Sequence, residues 1–315
     1  MGLKRLLVMG ALALSLVCLL VLAFVRPGTP GSTLWSGGRA VGLIRITGVI
    51  ADGDGLNPSS GAAAADRVVA ELDRVAHDAR VSVILLRVNS PGGSAAASQE
   101  IHDAVLNARK LKPVVVSMGD VAASGAYYLS VAADKIVADP ATLTGSIGVV
   151  SEFLNYKALA NDHGVSAAVI TSGPNKAIGN PLTTLTEQQR AVIQGIVDDT
   201  YQQFVSAVAA GRKLPEAKVK PLADGRAYTG RQALALGLID QLGGYQEALD
   251  VAAKLGDIRG RPKVIDFTEA PPFVDRLLGS VSQAVVQGMT AASGLPSGAR
   301  GAAMRLDYCD CEVPQ

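Results

Sequence analysis

Apolar and polar positions fall into two rhythms along this chain. Val41 to Ile46 and Val81 to Val88 are short runs rich in β-branched residues. Ala62 to His77, between them, spaces its apolar side chains three and four apart, so the pattern predicts strand, helix, strand. The rhythm then repeats: Ser94 to Leu111 is amphipathic, Pro113 to Ser117 reads as a strand, Val121 to Ala133 as a small-residue helix, and Lys135 to Ala138 as a strand. Ser166 to Ile170 is strand-like too. Wholly apolar strands alternating with helices predict an α/β fold with a largely parallel, buried sheet. Thr186 with Gln189, and Thr229 with Gln232, have capping-box spacing, and the first opens a long helix reaching about Gly211.

Leu6 to Val25 breaks the rhythm. It is an unbroken run of about 20 apolar or small residues, enough to cross a bilayer as a helix. A cleaved signal peptide is the competing reading, but Ala23-Phe24-Val25 does not resemble a small-residue cleavage site. Lys4 and Arg5 precede the run and Arg26 follows it, a bias that puts the N-terminus in the cytoplasm and the bulk of the chain on the extracytoplasmic side of the cell membrane, single-pass. The expected organisation is therefore a cytoplasmic N-terminus and transmembrane anchor over 1–26, a Gly/Pro/Ser/Thr-rich linker over 27–39 and a folded domain over 40–270. A C-terminal segment over 271–315 completes it, made of a helix-like stretch from Pro271 to Gly288 and an Ala/Gly/Ser-rich tail.

Composition narrows the chemistry. With 315 residues, 49% of them hydrophobic, the chain can bury a core without staples. Its 29 basic and 28 acidic residues give a formal charge of +1, which offers no electrostatic footprint for nucleic acid. The three cysteines, Cys18, Cys309 and Cys311, are too sparse for a disulfide framework, and no His/Cys cluster completes a metal site around the last two. No cofactor or metal is expected.

Four segments can carry a reaction. Val88-Asn89-Ser90-Pro91-Gly92-Gly93 follows a strand and precedes a helix, so its glycines can present backbone N–H groups to a ligand. Met118 to Tyr128 places Ser124 among small residues near a helix start, where N–H donors and the positive dipole end favour the negative charge formed when a serine attacks a carbonyl. The usual partner of such a serine is a histidine, yet His77, His102 and His163 sit in charged or turn-like surroundings without a triad signature. Thr171-Ser172-Gly173-Pro174-Asn175-Lys176 puts a lysine on a Gly/Pro loop. A lysine can serve as base only where burial strips its water and its proton.

Taken in order, these segments resemble the signal peptide peptidase A family of serine peptidases, short form. The resemblance runs over about residues 40 to 255. It includes Ala132-Ala133-Asp134-Lys135-Ile136, Thr142 to Gly148, and Ala223-Asp224-Gly225-Arg226 through Gly230-Arg231-Gln232-Ala233 to Gly244. It implies a Clp protease/crotonase-like fold of repeated strand-strand-helix units behind one N-terminal transmembrane helix. It implies a Ser-Lys dyad of Ser124 and Lys176, with Ser146 orienting the lysine and the N–H groups of Gly93 and Gly125 forming an oxyanion hole. It further implies peptide substrates, cleaved signal peptides above all, and a homo-oligomeric ring whose active sites are shared between subunits. Rival readings are a crotonase-type acyl-CoA enzyme, which needs no serine nucleophile, and a catalytically silent membrane scaffold.

Overall fold

In a computed structural model of the chain, the structure describes residues 39–53 and 62–268. The anchor at Leu6 to Val25, the linker to Gly38, the stretch from Pro271 to Gly288, the tail and all three cysteines lie outside the described residues. Among the described residues, no helix is long and apolar enough to cross a membrane.

The first strand, β1 (Ala40–Thr47), pairs in parallel with β4 (Val81–Ser90), and β4 with β5 (Val114–Ala123). Further parallel pairings add β6 (Lys135–Ala138), β9 (Gln241–Leu242) and β10 (Lys263–Asp266), in the order β10-β1-β4-β5-β6-β9. The short strand β7 (Leu143–Gly145) pairs with the far end of β5 and, antiparallel, with β8 (Ala227–Thr229). β2 (Ile50–Ala51) and β3 (Ala63–Ala64) form a separate two-stranded patch.

The strands read as unbroken apolar runs because both faces of the sheet are covered. Ile44, Ile46, Ile84, Leu86, Val114 and Val116 point into the larger core. That core also holds residues of α1 (Ala65–His77), α2 (Ala95–Arg109), α3 (Gly125–Ser130) and α5 (Glu187–Arg212). The alternate positions Val41, Leu43, Val83, Leu85 and Val115 pack on α8 (Tyr245–Leu255). Both predicted capping boxes are closed: Gln189 N donates to Thr186 Oγ1 at 3.2 Å, and Gln232 N to Thr229 Oγ1 at 3.3 Å. These bonds start α5 and α7 (Gly230–Ala235). Between β7 and α5 lies α4 (Lys157–Asp162), and α6 (Glu216–Val219) follows α5.

Two expectations need correction. Val121 to Ala123, read as helix, is the end of β5, and α3 begins only at Gly125. The small residues there carry no periodicity, and pairing of Val121 to Ala123 with Leu143 to Gly145 decides for strand. Ser166 to Ile170, read as strand-like, pairs with nothing among the described residues and is exposed, Ile170 by 96%.

Candidate active site

β5 is bent where it matters. Val88 of β4 lies opposite Met118, but the next pair is Ser90 with Ala122, so Gly119 to Val121 bulge out of the ladder. Asn89 fills the gap, its Oδ1 accepting from Val121 N at 3.1 Å. A Cβ on Gly119 would come within 2.9 Å of that side chain. Beyond the bulge, the redirected strand is fastened by Thr142 Oγ1 to Gly119 O and Thr144 Oγ1 to Ala122 O, both at 2.7 Å. Ser124 N then donates to Gly145 O at 2.8 Å. These bonds hold Ser124 at φ 54°, ψ −124°, a conformation that costs a non-glycine residue about 1–3 kcal/mol. The chain turns there at once from strand into α3, leaving the hydroxyl at a helix start.

The Pro-Gly-Gly loop is clamped beside it. Gly92 sits at φ 99°, its N donating to buried Ser90 Oγ at 3.1 Å. Ile50 N donates to Gly92 O, and Ser94 N to Ile50 O, each at 2.9 Å. Gly93, held between those two bonds, has no room for a side chain, since a Cβ would lie 1.9 Å from Ile50 O. Gly125 is equally confined: its Cβ would meet Ser98 Oγ at 2.2 Å and Gly93 N at 3.3 Å. The backbones of Gly93 and Gly125 are thus neighbours beside Ser124, and neither N–H donates to another described residue. Two unengaged N–H groups next to a strained serine are what an oxyanion requires.

Ser124 opens on a cavity of about 650 Å³. Ala95, Ala96, Tyr128, Val149, Val150 and Phe204 give it an apolar wall, and Ser94, Ser98, Gln99, Thr200 and Gln203 a polar one. Tyr128 and Phe204 meet edge to face, with centroids 5.1 Å apart, and the Tyr128 hydroxyl donates to Gln99 Oε1. Burial raises the Tyr128 phenol above its ordinary 10.0, so it stays a neutral donor. Tyr128 lies in the Ser124 motif, which assigns it no role, and no sequence signal marks Gln99, Ser98 or Phe204 as lining a site. Phe204 comes from the middle of α5, and only the fold brings it near Ser124.

A second cavity of about 420 Å³ joins Ser124 to Ser146, Asp198, Tyr201 and Asp224. Ser146 is also strained, at φ 50°, with its Oγ donating to Gly225 O at 3.2 Å and its N to Arg226 O at 3.0 Å. The fold therefore gathers Ser124, Gly93, Gly125 and Ser146. It does not gather Lys176, which is exposed on a loop of successive turns and lines neither cavity. That loop is tied to α5 through Gln189 Nε2, which donates to Pro174 O at 2.6 Å. None of the residues 148–203 is buried. Of the histidines, His102 packs behind Tyr128 and against Asp103, while His77 and His163 are exposed, and none lines either cavity.

Comparison with known proteins adds an independent line. The family model described as peptidase family S49 matches residues 107–259, and that of Clp protease matches residues 56–142. A Synechocystis sp. protein named as a candidate protease, slr0021, is 38% identical over 246 residues, covering 78% of this chain and 85% of the relative. A candidate signal peptide peptidase SppA of Enterococcus faecium is 42% identical over 185 residues, covering 58% of this chain and 54% of the relative. Protease 4 of Haemophilus influenzae is 35% identical over 230 residues, covering 72% of this chain and 37% of the relative. The chain thus spans most of the first relative's length and about half or less of the other two.

Proposed function

The chain belongs to peptidase family S49, and on that premise we propose a membrane-anchored serine endopeptidase in which Ser124 of one copy works with Lys176 of a neighbouring copy. It is a serine peptidase with a Clp protease-like α/β domain. The observation that carries the assignment of the nucleophile is the strained Ser124, beside two N–H groups with no other described partner, at the mouth of a cavity with an apolar wall.

In this reading the amine of Lys176 accepts the Ser124 proton as Oγ attacks the substrate carbonyl carbon. The carbonyl oxygen becomes an oxyanion and takes hydrogen bonds from Gly93 and Gly125 N–H. Collapse expels the amine half of the peptide, which receives the proton from Lys176, and leaves an ester on Ser124. Water, deprotonated by the same lysine, then hydrolyses that ester. Ser146, beside the serine in the second cavity, orients the lysine that arrives from the partner. A shared site explains why Lys176 is exposed in a single copy and why the long segment that carries it buries nothing: a neighbour would cover it and strip its water. Assembly into a homo-oligomeric ring supplies that neighbour.

The apolar part of the lining suits the hydrophobic stretch of a signal peptide, and one relative carries the name signal peptide peptidase. Cleaved signal peptides remaining in the membrane are the proposed substrates, with the run Leu6 to Val25 anchoring the enzyme beside them. The test is labelling by a fluorophosphonate together with hydrolysis of a hydrophobic peptide. Wild type should be labelled and active, Ser124→Ala neither, and Lys176→Ala assembled but inactive. Full hydrolysis by Lys176→Ala at neutral pH would require another base and overturn the dyad.

A further inference from the structure

The end of the sheet away from Ser124 has its own chemistry. Because β1, β4, β5 and β10 run parallel, their first residues lie side by side there, Ala40 being paired with both Val81 and Lys263. The chain around these strand starts is basic, with Arg39, Arg80, Lys110, Lys112, Arg259 and Arg261. Three carboxylates stand among them: Asp257 binds Arg39 at 2.9 Å, Asp78 binds Arg80, and Asp134 binds Arg109 at 2.6 Å while accepting from Val114 N at the start of β5. Lys112 turns inward and donates to Val75 O and Asp78 O, while Lys110 donates to Asn107 Oδ1. Arg259 and Arg261 are exposed and make no hydrogen bond or ion pair with a described residue. A chain with a net charge of only +1 has concentrated positive charge at one end.

Apolar surface lies among these cations. A groove of about 370 Å³ is lined by Arg39, Arg80, Lys112 and Ser82, whose buried Oγ lacks a hydrogen-bond partner. Leu111 and Leu255 line it too, yet are 57% and 40% exposed. Cations interleaved with exposed leucines match a surface that meets phosphates and then hydrocarbon. The 38 residues before Arg39, which contain the apolar run Leu6 to Val25, also join the domain at this end.

We infer that this basic end lies against the membrane, where Arg39, Arg80, Lys110, Arg259 and Arg261 meet the phosphates of anionic phospholipids and Leu111 and Leu255 reach the acyl boundary. The inference rests on the anchor reading above. The ten residues of β4 separate the basic end from the Pro-Gly-Gly loop, about 30 Å at the usual rise of a strand. A peptide must therefore leave the bilayer to reach Ser124, and is not cut in the membrane plane.

The experiment is amide hydrogen exchange of the full chain in nanodiscs of phosphatidylcholine alone or mixed with phosphatidylglycerol. Exchange over residues 109–112 and 257–261 should slow about fivefold in the anionic discs, roughly the contribution of one cation at an anionic surface. The difference should vanish at about 1 M salt, where the screening length falls to about 3 Å. It should vanish also in the Lys110→Glu/Arg259→Glu/Arg261→Glu variant, whose side chains hold no ion pair needed for folding. Equal exchange in the two discs, or the same slowing by inorganic phosphate without lipid, overturns the inference. Entry into phosphatidylcholine discs reports the anchor separately, because insertion of an apolar helix does not depend on headgroup charge. A chain that fails to enter them refutes the anchor, and flotation on phosphatidylglycerol vesicles then decides the basic end by itself, binding supporting it and no binding refuting it.

Discussion

At the scale of single residues, the site depends on positions where a side chain is forbidden or a backbone is strained. Gly93 has no space for even a methyl group, because Ile50 O stands 1.9 Å from where a Cβ would be. Gly93→Ala must push the loop away from β2 and carry its N–H out of line with Ser124. Loss of one oxyanion donor costs about 2.7–4 kcal/mol in the barrier, so kcat should fall by about 10²–10³ while fluorophosphonate still finds Ser124. Steady-state kinetics on a peptide substrate checks this, and an unchanged kcat would remove Gly93 from the reaction. The sequence motifs, through the family resemblance, single out Ser124, Gly93 and Ser146, and the fold brings the three together. The strain is not legible in the motifs, since positive φ at Ser124 and Ser146 accompanies the bonds these serines donate to the carbonyls of Gly145, Gly225 and Arg226, which only the fold supplies.

At the scale of elements, most of the β/α alternation was legible because the buried strands and the two capping boxes carry strong local signals. The end of β5 was not legible. Its Ala-Ala-Ser-Gly stretch suits helix or strand, and a tertiary pairing with β7 chooses between them. Ser166 to Ile170 shows the converse, a strand-forming composition without a described partner strand. The position of α5, which brings Phe204 to the cavity, is fixed at its C-terminal end by Arg212. Its Nη1 binds Asp240 Oδ2 at 2.9 Å, the same oxygen that accepts from Ile136 N at 2.8 Å. Burial alone would raise the Asp240 carboxyl, but the hydrogen bond and charge of Arg212 outweigh it and hold the group below its ordinary 3.8. A carboxylate depressed in the folded state stabilises it above the unfolded value, and that contribution is lost as pH falls through the folded one. Asp240→Asn should therefore cost about 2 kcal/mol in denaturant unfolding at pH 7, with the gap to wild type closing as pH drops below 3.8. A gap that persists undiminished in acid would show that the carboxylate charge is not its source.

At the scale of the whole molecule, the proposed nucleophile and base belong to different parts of the chain, and a single copy does not unite them. Ser124 sits half-buried at the end of β5, on the edge of the core that β5 and its neighbours build. Lys176 rides on the segment 148–203, which buries no residue and exposes Val150, Leu154, Ile170 and Ile196 to solvent. Among the described residues nothing covers this segment, and in the proposed assembly a neighbouring copy would both cover it and complete the site. Sequence can propose the two residues but not whether one copy or two supply them, because spacing along a chain says nothing of contacts between chains. The most direct test is to mix Ser124→Ala with Lys176→Ala, each inactive alone, under conditions that exchange subunits. If every site takes its serine from one subunit and its lysine from the next, an equal mixture should recover about a quarter of wild-type peptide hydrolysis. Mixed assemblies that form and stay inactive would contradict a dyad shared between copies.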